Sequence, residues 1–245
     1  MTSCRSSGRA ALAALSLLLN QGLVAASLDV NPVRIDLAGP TRPAELRLTN
    51  TGDEPLSIQV DALQWTQDFN GADELVDSDA VLAVPPLFTV GPGERQIVRI
   101  GYLEEAPRDV ERSFRLLVTE LAPSASEAAP SSLSMRLRLS IPVFVAPTPG
   151  DAAPDVVVSD IQPGPDGMRV LLHNVGNAHV KIKSIDLGRS GEWLAVPSDT
   201  VNLIRYLLPN VQAQFTAPGA LGAPSAIRIT AADGRVWEHA VPRPQ

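Results

Sequence analysis

Over residues 133–145 every second position is apolar: Leu133, Met135, Leu137, Leu139, Ile141, Val143 and Val145, separated by Ser134, Arg136, Arg138, Ser140, Pro142 and Phe144. A period of two belongs to a β-strand, whose successive side chains point to opposite faces. At ~3.3 Å per residue the segment spans roughly 43 Å, long for a strand. A chain carrying it must build a sheet around it, or leave an apolar edge that invites aggregation. Other segments share the period. Residues 45–50 (E-L-R-L-T-N) and 56–60 (L-S-I-Q-V) alternate on either side of a Thr51-Gly52-Asp53 turn. Residues 96–100 follow a Val90-Gly91-Pro92-Gly93 turn. Residues 114–121 form a more continuously apolar run, as expected of a central strand buried on both faces.

Past residue 145 the chain loses its periodicity in a run of proline, glycine and small residues, and then resumes it. Residues 156–158, 168–173 and 180–185 read as strands. Residues 227–230 turn through Asp233-Gly234 into residues 236–241, and Asp-Gly between alternating runs is a strong hairpin signal. The 22 prolines of this 245-residue chain argue against long helices. With 44% hydrophobic and 19% charged residues the composition is globular, excluding disordered, collagen-like and coiled-coil chains. The reading is an all-β protein of two β-sandwich domains, residues 27–147 and 155–245, joined by a linker over residues 148–154.

Residues 1–26 have the form of a secretory signal peptide. Arg5 and Arg9 make a positive start, residues 10–19 an apolar core, and Val24-Ala25-Ala26 a small-residue cleavage site. The core is too short to span a bilayer as a helix. The single cysteine, Cys4, lies inside this segment, so the exported chain has no thiol for disulfides, catalysis or metal binding. A net charge of −7 and a pI near 5.0 deny it the positive field that phosphates require, which excludes nucleic acid as a partner.

Catalytic chemistry finds no footing. Of the three histidines, His173 and His179 do not have a zinc spacing, and they read, with His239, as surface or hairpin residues. Asp73, Glu74, Asp77 and Asp79 lack the glycine and terminal glutamate of a calcium loop and read as a solvated loop. No nucleophile elbow, P-loop or dinucleotide fingerprint is present. The expectation is a protein that is not an enzyme, with no cofactor, no metal and no small-molecule substrate.

Several segments, in order, carry a family resemblance: residues 28–35 (L-D-V-N-P-V-R-I), 84–86 (V-P-P), 90–100 (V-G-P-G-E-R-Q-I-V-R-I), 114–121 (F-R-L-L-V-T-E-L), 137–147 (L-R-L-S-I-P-V-F-V-A-P) and 174–180 (N-V-G-N-A-H-V). Each is weak alone. Together the set resembles the PapD-like periplasmic pilus-assembly chaperones of the chaperone–usher pathway, over nearly all of the chain after residue 26. The resemblance implies two immunoglobulin-like domains in an L-shaped arrangement. It also implies a non-enzymatic role in the periplasm: binding, folding and capping pilus subunits, and delivering them to an outer-membrane usher.

The resemblance also implies site residues. The first half of the long strand donates apolar side chains to a subunit that lacks a strand, and Leu133, Met135, Leu137 and Leu139 match those positions. They are expected on an exposed or partner-covered face, less buried than Ile141, Val143 and Val145; the alternative is an ordinary core strand. Without a subunit, this edge is expected to be protected either by disorder of the loop over residues 123–132 and the adjoining strand or by self-association through it. Arg34 matches the cleft arginine that binds the subunit's C-terminal carboxylate, a role suited to a planar guanidinium fork. The alternative is a surface arginine. Many members add a lysine on the donor strand, where this chain has Pro142; its only lysines, Lys181 and Lys183, lie in the second domain. Arg115 and then Arg138 are the candidates to substitute. Ile-Pro at this place looks like the archaic-type branch. Pro85 is the candidate for the family's cis proline, since X–Pro is where a cis bond is cheap.

Two rivals differ in class. A pilus subunit or adhesin would show an N-terminal donor extension and lack a complete second sandwich. An envelope enzyme, such as a copper protein on a similar scaffold, would need clustered histidines within one domain, and the first domain has none.

Overall fold

The structure is a computed structural model that describes residues 28–38, 42–68, 71–122, 136–148, 151–165, 167–189, 191–197, 199, 206–218 and 224–241. The signal peptide read in residues 1–26, and the donor positions Leu133 and Met135, lie outside the described residues.

The first sandwich contains β1 (Leu28–Asn31), β2 (Ile35–Leu37), β3 (Ala44–Asn50), β4 (Leu56–Gln67), β5 (Asp73–Asp77), β6 (Val81–Val84), β7 (Leu87–Val90), β8 (Arg95–Tyr102), β9 (Arg112–Glu120) and β10 (Arg138–Val145). One sheet has the order β1-β3-β8-β6. The other has the order β2-β10-β9-β4-β5, with β7 also paired to β4. Alternation fixes which side chains meet between them. Leu46 and Leu48 of β3 and Val98 and Ile100 of β8 face Ile58 and Val60 of β4, Leu116 and Val118 of β9, and Ile141, Val143 and Val145 of β10. Each of these is at most 3% exposed, and burying each contributes about 1.5–3 kcal/mol. The intervening Glu45, Arg47 and Arg99 remain in water.

The second sandwich contains β11 (Val156–Gly164), β12 (Gly167–Asn174), β13 (Val180–Arg189), β14 (Glu192–Ala195), β15 (Tyr206–Leu207), β16 (Gln212–Pro218), β17 (Ala226–Ala231) and β18 (Val236–Ala240). Its sheets have the orders β11-β12-β16 and β14-β13-β17-β18, with β15 paired to β13. Val170, Leu172, Ile185, Leu187, Phe215, Ile227 and Ile229 fill its core.

One device recurs in both domains. Asn50 and Asn174, each ending a strand, are fully buried polar side chains. The Asn50 amide donates to the carbonyls of Glu54 and Val90, and its oxygen accepts the Gly52 N–H. The Asn174 amide donates to the carbonyls of Ala178 and Leu207, and its oxygen accepts the N–H groups of Gly176 and Asp155. The second set also ties down the linker. Val175 donates to the Asp155 carbonyl at 2.8 Å and Asn177 to that of Ala153 at 3.0 Å. Gly176 lies so close to the backbone of Ala153 and Asp155 that a Cβ there would collide with it.

Three readings are corrected. Within the described residues the long strand starts at Arg138, and residues 136–137 before it are not strand, although Leu137 keeps its carbonyl bonded to the Glu120 N–H at 2.9 Å. The acidic residues 73–77 are not a loop but the edge strand β5, exposed at every position, which hides the apolar alternation that marks a strand. His179 is not a surface residue: its side chain is 8% exposed at the domain junction.

Candidate functional site

The face of the β2-β10-β9-β4-β5 sheet opposite its core looks toward the second domain. Period-two alternation places Trp65, Arg115, Pro142, Phe144 and Asp36 there. The register sets Phe144 beside Asp36, and sets Arg115 between Pro142 and Leu63. Trp65 and Phe144 pack with Tyr206 and Leu208 of the second domain in a small apolar cluster. Trp65 meets Tyr206 edge to face at a centroid distance of 5.5 Å, and the Phe144 ring lies parallel to the His179 ring at 3.4 Å.

Polar groups complete the junction. The Gln67 amide donates to the Tyr206 carbonyl at 2.9 Å, while its oxygen accepts the Leu208 N–H at 3.0 Å. A Glu111 carboxylate oxygen lies 2.7 Å from His179 Nδ1 and accepts the His179 backbone N–H at 3.0 Å. The Asn177 side chain donates to the Asp109 carbonyl at 3.2 Å. These contacts fix the two walls of a cleft of about 220 Å³, lined among others by Arg34, Asp36, Glu111, His179, Lys181 and Arg235.

Arg34 sits in the turn between β1 and β2. Its Nε and Nη2 grip the Asp36 carboxylate at 2.8–3.0 Å, and its guanidinium carbon is 5.5 Å from the Phe144 ring centre. Nη1 has no bond to any described residue. Arg115 is engaged elsewhere. Its guanidinium lies 3.6 Å above the Trp65 ring and 5.7 Å from that of Tyr206, and pairs with Asp73 at 3.2 Å. Arg115 is not among the residues lining the cleft. Arg138 is exposed, opposite Thr119, about 20 Å along the strand from Phe144. The structure therefore brings to Arg34 a cation that the sequence analysis did not select, Lys181. Its signal is only topological: β13 runs along the junction, which no local pattern in the sequence states.

Burial rises along β10. Leu137 and Leu139 are half-buried, with Leu139 touching the core; Ile141 is 3% exposed, and Val143 and Val145 are fully buried. Pairing changes at the same place. Residues 143–145 lie between β2 and β9, whereas residues 138–142 pair with β9 alone among the described residues. Among the described residues that backbone edge is unpaired, and Pro142, lacking an N–H, is tolerated there. The Val84–Pro85 peptide is cis, as is Asn31–Pro32. The Val84-Pro85-Pro86 segment carries the chain from β6 in one sheet to β7 in the other, and the Pro86 carbonyl accepts the Val60 N–H at 2.8 Å.

Among the described residues no group of three or more His, Cys, Asp or Glu could hold a metal ion. Among the described residues, Tyr102 is a side chain whose acidity is displaced. Burial raises its phenol above the ordinary value, and the Glu104 carboxylate adds to that while Arg112 opposes it.

No curated protein sequence matches this chain. Solved structures share its fold. A chain of the CsuC–CsuE chaperone–tip adhesion subunit pre-assembly complex, from archaic chaperone–usher Csu pili of Acinetobacter baumannii, superposes with a TM-score of 0.66. It is 20% identical, over 87% of this chain and 98% of that one. The Pseudomonas aeruginosa CupB2 chaperone gives 0.58 at 19% identity, over 87% of this chain and 100% of that one. The Salmonella enterica complex of SafA pilin with the SafB chaperone gives 0.60 at 14% identity, over 88% and 96%. Residues 27–150, more than half of the chain, match the PapD N-terminal domain of pili and flagellar-assembly chaperones, and the chain belongs to that family.

Proposed function

We propose that this protein works in the periplasm as a donor-strand chaperone. It captures a pilus subunit whose sandwich lacks a strand, fills the gap with the first part of β10 and the residues before it, and hands the subunit to an outer-membrane usher. The observation that carries this reading is the edge at residues 138–142, unpaired among the described residues, next to half-buried Leu137 and Leu139. An unpaired edge with an apolar face suits strand addition: backbone bonds supply affinity and alternate side chains in pockets supply selectivity. Burying Leu133, Met135, Leu137 and Leu139 in a subunit groove would give roughly 6–12 kcal/mol gross, at about 1.5–3 each, reduced by ordering costs.

Arg34 then receives the subunit's C-terminal carboxylate and sets the register of the donated strand. Its free Nη1 supports the role, because a carboxylate can add to the cleft without breaking the Asp36 pair. Proline at the lysine position of other members supports an archaic-type assignment, and the leader-like residues 1–26 support export.

The test is recovery of a partner. The tagged chain, expressed with its signal in its native cells, should co-purify from the periplasm with a pilus subunit identified by mass spectrometry. Arg34→Ala should lose that subunit while keeping the melting temperature. Full recovery with Arg34→Ala would remove Arg34 from the site, and no recovery by the wild type would overturn the reading.

A further inference from the structure

We infer that Lys181, from the second domain, is the second cation of the carboxylate site, so that the anion is held between the two domains. This rests on the reading that the cleft receives a subunit's C-terminal carboxylate at Arg34.

The ionic groups lining the cleft decide the matter. Three are cationic side chains, Arg34, Lys181 and Arg235, and three are carboxylates, Asp36, Glu111 and Asp233. Each carboxylate is engaged: Asp36 by Arg34, Asp233 by Arg235 at 3.2 Å, and Glu111 by His179 at 2.7 Å. Lys181 has no carboxylate partner among the described residues; its Nζ stands 5.6 Å from the Tyr206 ring centre. The cleft thus combines an ammonium without a counter-ion and, on the facing wall, a guanidinium with one nitrogen unbonded. An anion placed between them gains charge-assisted bonds from both without displacing an existing pair. Arg115 cannot do the same without leaving Asp73 and the Trp65 face.

The geometry explains how a first domain without lysine can hold its partner. The ammonium lost at Pro142 on β10 is supplied from β13 of the other domain. Lysine suits the reach, because its flexible stem delivers a compact charge with three rotatable donors. Capture then depends on the angle between the domains, which Gln67 and Glu111 fix.

Lys181 and Lys183 are the only lysines in the chain, and both are exposed. This permits a direct test on the whole protein, with the pilus subunit that co-purifies with the wild type as the probe. Lys181→Gln should lower subunit recovery about tenfold or more, the scale of one charge-assisted contact, and Lys183→Gln should leave it unchanged. In the complex, Lys181 should be protected from an amine-acylating reagent while Lys183 reacts as in the free protein. Adding Gly-Ser to the subunit's C-terminus should abolish the advantage of wild type over Lys181→Gln, because the main-chain carboxylate is then displaced. If Lys181→Gln keeps the subunit while Arg34→Ala loses it, this inference falls and the carboxylate reading stands. If both variants keep it, the carboxylate reading falls as well. If the advantage survives the Gly-Ser extension, Lys181 grips an acidic side chain of the subunit and the inference is overturned.

Discussion

Glu111 and His179 meet across the domain junction, the carboxylate oxygen 2.7 Å from the ring Nδ1 and also accepting the His179 backbone N–H at 3.0 Å. Both side chains are almost fully buried, at 5% and 8% exposure, and the imidazole lies flat on Phe144. One side chain therefore satisfies two donors that are largely withdrawn from solvent. Glu111→Ala should cost about 1–3 kcal/mol, the penalty for leaving a buried polar group unpaired. It should also let the domains swing apart. Urea unfolding should show the loss, and small-angle scattering a larger radius of gyration. An unchanged midpoint and radius would mean that Gln67 and the aromatic cluster hold the domains without it.

Asn174 is the polar pin of the second domain. Replacing it with Ala strands two carbonyls, of Ala178 and Leu207, and two N–H groups, of Gly176 and Asp155. Guanidinium denaturation should show a loss of about 3 kcal/mol or more. Asn174→Asp should be no better, since a carboxylate accepts but cannot donate to those carbonyls. A loss below about 0.5 kcal/mol would mean that water enters and satisfies the turn.

The limits of legibility follow from the same physics. Leu46, Leu48 and Val98 announced themselves because each has a polar neighbour on the other face of its strand. β5 was missed because both its faces are wet, and β16 because the inward residues flanking Phe215 are Ala213 and Ala217, too small to mark an apolar period. Arg34 was legible from its surrounding motif. Lys181 was not, because it comes to the cleft from another domain, and whether Arg115 is free to help depended on Asp73 and Trp65, contacts no spacing encodes.

Tyr102 sets an alkaline limit. Burial and the Glu104 carboxylate favour its neutral phenol, so its pKa in the folded chain lies above the ordinary 10.0. Its contribution to stability is complete below pH 10.0, where both states are protonated. It is lost as pH rises through the folded value, because the unfolded chain ionises first. Melting temperature followed upward from pH 9 should fall less steeply for Tyr102→Phe than for the wild type. Identical slopes would mean that the phenol ionises equally in both states.

The proposed donor face is tested by charges placed at defined points on β10 and just before it. Leu137 is half-buried and not part of the core cluster, whereas Leu139 touches it. Leu137→Asp should therefore leave the melting temperature of the free protein nearly unchanged. Leu139→Asp should lower it, by the equivalent of about 1–3 kcal/mol, because a charge is moved against apolar neighbours. Both should abolish subunit recovery, since the side chain would enter an apolar groove. Ser140→Asp supplies the control on the same strand: that residue points to the opposite face and is exposed, so its charge should be tolerated in the free protein and in the complex. Leu137→Asp is the decisive variant, because it separates binding from folding. If it melts like the wild type and still recovers the subunit in full, the donated segment lies elsewhere. If Ser140→Asp blocks capture as completely as Leu137→Asp, the strand is excluded by charge alone rather than read by alternate side chains, and the pocket mechanism fails.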